Sequence, residues 1–234
     1  MAIELNRRYG TAGALDQATV DEALRSYMLR VYNLMASGLA LSGIMAVLTY
    51  NFGYAATVLP TIAIFVALGT ILVMSFGANK LSASTLGALY WAFTATFGIA
   101  LSTIFMRYTG TSILRVFFIT GGMFAAMSLY GYTTKRDLSG FGSFLMMGVI
   151  GLLIAGLVNI FLQSSMMQFV ISVITVLVFV GLTAYDTQRI KSEFNESDAA
   201  EITSKQAIFG AVSLYTNFIN IFTALLNLFG SNRE

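Results

Sequence analysis

Val178-Phe-Val-Gly-Leu-Thr-Ala-Tyr-Asp-Thr-Gln188 ends one long apolar run. After a short charged loop the chain continues as Gln206-Ala-Ile-Phe-Gly-Ala-Val-Ser-Leu-Tyr-Thr-Asn-Phe-Ile-Asn-Ile-Phe222 and on to Phe229. In the second stretch Gln206, Gly210, Ser213, Asn217, Asn220, Ala224, Asn227 and Ser231 recur at steps of three and four. That spacing places a polar or small stripe on one helical face, with Ile208, Val212, Tyr215, Ile219, Phe222 and Leu226 opposite. Unpaired amides are costly in lipid, so this helix is expected inside a bundle, its stripe toward other helices or water. Asp186 is the one acidic residue within an apolar run. An ionisable group there is a functional-site hypothesis by default.

Working outward, 57 % of the 234 residues are hydrophobic, 10 % are charged, and the mean hydropathy is +0.77. These values specify an integral membrane protein. Apolar runs occupy roughly 31–50, 55–78, 86–106, 116–134, 141–162, 167–187 and 206–229, each near the ~20 residues a bilayer requires. The expected fold is therefore all-α and polytopic, with seven transmembrane helices. Residues 1–27 form a cytoplasmic tail and helix start, and 28–234 a single transmembrane domain. No apolar run lies near the start, so no cleavable signal peptide is expected. Thr19-Val-Asp-Glu22 has the form of a capping box and predicts a helix beginning near Val20.

With the N-terminus inside, ten of the thirteen Lys and Arg residues fall on the cytoplasmic side and three, Arg107, Arg115 and Arg233, outside. The positive-inside rule thus predicts a cytoplasmic N-terminus. The polar seventh span either crosses fully or dips in and returns. Small-residue stripes, Gly121 and Gly122 with Ala125 and Ala126, and Gly151 with Ala155 and Asn159, are expected to mark helix contacts. In the loop Ser192–Glu201, Asp198 with Glu201 is expected to cap the last helix; the loop lacks the spacing of a calcium-binding hand.

The chain has no cysteine and no histidine. Disulfides, thiolate nucleophiles, imidazole-ligated zinc and histidine triads are therefore excluded, and no nucleophile–base set indicates an enzyme. A net charge of +2 with no basic face gives no sign of a nucleic-acid partner. Proton sensing would have to come from a carboxylate.

Two readings of Asp186 stand. It meets Asn217 and Lys80 near the inner third of the bundle as an ion or proton gate, or it sits wet at the interface, paired with Arg189. Lys80 is a latch, or an anchor that snorkels. Asn217 and Asn220 face a pathway with Ser213 and Asn227, or join helices.

Three segments, Met127-Ser-Leu-Tyr-Gly-Tyr-Thr-Thr-Lys-Arg-Asp-Leu-Ser139, Gly181-Leu-Thr-Ala-Tyr-Asp-Thr-Gln188 and Ser213-Leu-Tyr-Thr-Asn-Phe-Ile-Asn-Ile-Phe222, resemble the Bax inhibitor-1 (transmembrane Bax inhibitor motif) family, in particular its bacterial branch. The resemblance implies seven helices with the last one central. It also implies a calcium-permeable leak channel gated by pH through two aspartates on the last two helices, with a basic latch on the second helix. Asp186 matches the first aspartate and Lys80 the latch, while Asn217 stands where the second aspartate is expected. Asparagine cannot share a titrating proton, so any pH gate is expected to be blunted or moved toward acid, and Asn217→Asp to steepen it.

The function expected from these features is a pH-influenced calcium or other cation leak in a bacterial inner membrane, with weak, transient calcium contact at Asp186 and no resident cofactor. The alternative is a non-conducting membrane protein that restrains a partner such as a membrane-bound protease. An ion-coupled transporter ranks lower, since paired broken helices are not evident.

Overall fold

A computed structural model of the chain describes residues 2–233, with side chains described from Val20 onward. Helix α1 (Ala2–Asn51) leads through a short 3-10 turn (Tyr54–Ala56) to α2 (Leu59–Gly77), α3 (Ala83–Leu101) and the one-turn α4 (Ile104–Arg107). Then follow α5 (Gly110–Thr133), α6 (Ser139–Leu162), α7 (Ser165–Glu193) and α8 (Ala200–Phe229). Among the described residues, seven helical segments are long and apolar enough to cross a membrane, α3 and α4 together supplying one of them.

Local chemistry sets the ends. Ser82, Thr109 and Ser164 each turn a side-chain oxygen to an early amide, of Thr85, Ser112 and Met167 respectively, meeting backbone donors that have no partner within the helix. Pro60 stands in the first turn of α2, where its missing N–H costs nothing. Gln163, at φ 50°, makes the left-handed turn from α6 into α7.

Helix α8 is the axis. It packs against α7, α1, α5 and α3, whereas α2 rests on α3 and the neighbouring turn, and α6 on α7. Near the start of α8, Tyr27 of α1 stacks on Phe194 with ring centroids 5.1 Å apart. Beyond its other end, Asn232 bridges Tyr108, and Arg233 bonds both the Tyr50 hydroxyl and, at 3.0 Å, the Phe105 carbonyl. The helix therefore runs from the level of Tyr27 to that of Tyr50, a rise of ~35 Å at 1.5 Å per residue. That exceeds the ~30 Å hydrocarbon core, so the seventh span crosses and does not turn back.

Several sequence expectations are corrected. Backbone helix continues from Ala2, so Thr19–Glu22 does not start it. The apolar face of α8 is inside as well as its polar stripe: Ile208, Tyr215, Ile219, Phe222 and Leu226 are all buried. Tyr215 donates to the Ser42 hydroxyl at 2.7 Å, which itself donates to the Thr94 carbonyl at 2.6 Å. Ala199, not Asp198, occupies the cap position of α8; Asp198 accepts from Gln206 at 3.3 Å and Glu201 pairs with Lys205 at 3.6 Å.

Of the small-residue stripes, Asn159 marks a contact of α6 with α7, through Gln168, but the glycines mark none. A Cβ on Gly121, Gly122 or Gly151 would meet nothing within 4 Å. The close backbone approaches lie elsewhere. A Cβ on Gly98 would stand 2.6 Å from the Ser42 Cα, and one on Gly131 2.9 Å from the Ala184 Cα. Only glycine lets α3 meet α1 and α5 meet α7 this closely.

Candidate functional site

The last two turns of α7 carry a run of polar residues, and neighbouring helices answer them. Asp186 is buried at 8 % exposure and Asn217, on α8, at 3 %. The Asn217 side-chain amide donates to Asp186 Oδ2 at 2.8 Å. Arg189, three residues on and so on the same face of α7, holds Asp186 Oδ1 at 3.0 Å with one guanidinium nitrogen. The same nitrogen donates to the Ser213 hydroxyl at 3.1 Å, and Arg189 Nε lies 3.7 Å from Glu193. The carboxylate is thus clamped from two sides: the Asn217 contact of one sequence reading and the Arg189 pair of the other are both present, but Asp186 is buried rather than wet.

The helix periods explain the meeting. Ser213 and Asn217 are four residues apart on α8, as Asp186 and Arg189 are three apart on α7, so two like-facing pairs interdigitate where the helices pack. Thr187 reaches Ser128 of α5 at 3.4 Å. Gln188 spans the α5–α6 connection: its carbonyl oxygen accepts from the Leu138 amide at 2.9 Å and its nitrogen donates to the Arg136 carbonyl at 2.8 Å. Lys191 donates to the Tyr132 carbonyl at 3.0 Å.

Among the sequence candidates, Asp186, Asn217 and Ser213 come together. Lys80 does not join them. It is exposed in the turn after α2, and among the described residues its side chain makes no hydrogen bond or ion pair. The reason is architectural: α2 packs on α3 at the periphery, away from α7. Asn220 donates to the Thr216 carbonyl within its own helix at 2.9 Å, and exposed Asn227 accepts from the Tyr108 hydroxyl at 2.9 Å near the opposite end. Among the described residues no three acidic side chains gather as a metal site. Arg189 and Gln188 are the participants that the sequence reading left aside or weighed only as a surface pair; the i,i+3 spacing from Asp186 was the available signal.

The family model described as Inhibitor of apoptosis-promoting Bax1 matches residues 24–234. The chain belongs to the Bax inhibitor-1 family. An uncharacterized protein of Caulobacter vibrioides is 44 % identical over 248 aligned positions, covering 99 % of each chain. Protein RP147 of Rickettsia prowazekii is 45 % identical, covering 92 % of this chain and 94 % of its own. The inner membrane protein YbhL of Escherichia coli K12 is 43 % identical, covering 90 % and 93 %. With seven membrane-length helices and this kinship, this Bax inhibitor-1 family member is an integral membrane protein.

Proposed function

We propose that this protein is a pH-influenced leak pathway for calcium or a similar cation in a bacterial inner membrane, its N-terminus cytoplasmic, with the Asp186 cluster as the gate. The observation that carries the reading is the buried carboxylate of Asp186, held at once by Asn217 at 2.8 Å and Arg189 at 3.0 Å. A carboxylate, an amide oxygen and the Ser213 hydroxyl offer the hard oxygen ligands calcium takes, yet too few for tight binding, as conduction requires. The guanidinium occupies the place a cation would take.

Hydrogen bonds to a charged group contribute ~1.5–3 kcal/mol each. Arg189 is 39 % exposed, so its share belongs at the low end. Releasing both donors then costs ~3–4.5 kcal/mol, which leaves the unclamped carboxylate populated at roughly one part in a hundred to one in a thousand at ~1.4 kcal/mol per tenfold. A slow leak fits that population better than an open pore. Protonating Asp186 removes the charge that holds Arg189, so the pH response is expected toward acid.

The test is calcium flux into proteoliposomes at several pH values, comparing the parent with Asp186→Asn. Flux that is present in the parent and altered in the variant supports the gate. No flux above empty liposomes from folded protein transfers the reading to a non-conducting protein that binds a membrane partner.

A further inference from the structure

Helices α1 and α5 both pack on α8 but hardly on each other. At the α7–α8 end of the bundle they leave a slot of about 640 Å³ between them. Its walls are apolar: Met28 and Leu29 from α1, Phe124, Ala125 and Leu129 from α5. On the α5 side the small, exposed Ala125 leaves the slot open between the larger Phe124 and Leu129.

The rim is cationic. Arg25 lines the slot, is exposed, and among the described residues forms no ion pair, although Asp21 and Glu22 lie one turn earlier on the same helix. Lys191 places its ammonium 4.6 Å from the centroid of Tyr132, another lining residue. Arg30 borders an adjoining depression of about 520 Å³ that shares Arg25 and carries one acid, Glu22, against the two arginines.

Depth matches this division. The segment Val20–Asn51 has 32 residues, or ~48 Å of helix, against a hydrocarbon core of ~30 Å. With the excess at this end, roughly its first twelve residues stand at headgroup level, which puts Arg25 and Arg30 beside lipid phosphates, Met28 and Leu29 at the same boundary, and the Phe124 and Ala125 walls of α5 beneath. Basic side chains at the ends of membrane helices attract anionic headgroups.

We propose that the α1–α5 slot binds one anionic phospholipid, its phosphate against Arg25 and an acyl chain along Leu29, Ala125 and Leu129. The site stands whether or not the bundle conducts ions. It backs onto the cluster at Asp186, because Ser128, a slot residue, accepts from Thr187.

The experiment uses the full chain in phosphatidylcholine vesicles with a trace of phosphatidylglycerol bearing a photoactivatable acyl chain, the adducts being mapped by mass spectrometry. Adducts are expected to concentrate on residues 25–32 and 121–132 and to be competed by unlabelled phosphatidylglycerol, but not by added phosphatidylcholine or soluble glycerol phosphate. Arg25→Gln should weaken that competition about fivefold, the scale of one basic residue near an anionic surface, and Arg25→Lys should keep it. Ala125→Phe should reduce labelling of both segments while labelling of α6, the control lipid face, stays constant and thus reports an intact bundle. Adducts spread over α2 and α6 in proportion to exposed surface, equal competition by phosphatidylcholine, competition by glycerol phosphate, or chain-to-chain crosslinks in place of lipid adducts would each overturn the proposal.

Discussion

Helices α6 and α8 are both long and apolar, yet they have opposite environments. In its most apolar window α6 has a mean hydropathy of 2.5 and is 6 % buried, whereas α8 has 1.5 and is 67 % buried. In water the more hydrophobic helix would be the inner one. In a bilayer the lipid already solvates apolar side chains, so hydropathy marks the outside and polar or small residues mark the inside. The amides of α8 are inside because partners there satisfy them; α6 carries one amide, Asn159, and satisfies it at its end against the start of α7.

The largest expected effect contrasts glycines. Gly98→Leu would drive a side chain into the Ser42 backbone, and Gly151→Leu on α6 would enter open space. The first should destabilise by ~3 kcal/mol or more and abolish most folded protein, while the second should be nearly silent, as read by thermal unfolding in detergent. Equal behaviour would break the contrast between the inner and outer helices.

Next come asparagines. Asn217→Leu strips Asp186 Oδ2 of its donor in a buried site and should cost ~1–3 kcal/mol. Asn159→Leu on α6 loses partners at a half-buried corner, where Asn159 accepts from the Ser164 amide and donates to Gln168, and should cost about 1 kcal/mol or less in the same assay. A larger loss at Asn159 would contradict the assignment of inside and outside.

The smallest effect is at Lys80. Exposed and away from α7, it should tolerate Lys80→Ala within ~0.5 kcal/mol and with unchanged flux. Faster leakage in that variant would mean that α2 closes on the site in another conformation, restoring the latch expected from sequence.

Much of the site was legible because two periodicities carry it. The stripe through Ser213 and Asn217 marked the polar face of α8 that meets α7, and the i,i+3 step put Arg189 within reach of Asp186. The rest depends on which helices are neighbours, which a single-helix pattern does not encode. Gly98 and Gly122 look alike in sequence, but only Gly98 has another backbone against it. Gln188 looks like a surface residue until the α5–α6 connection, fifty positions earlier, is folded against it. Lys80 sits at the expected end of its helix, but α2 is peripheral.

The most direct test of the account is cation flux through reconstituted parent and Arg189→Gln across a range of pH, with folding checked by thermal unfolding. If the guanidinium closes the path by occupying the carboxylate, removing its charge should raise flux at neutral pH and flatten the dependence on acid. Flux and pH profile identical to the parent, from a folded variant, would contradict the claim that the Asp186–Arg189 pair is the gate.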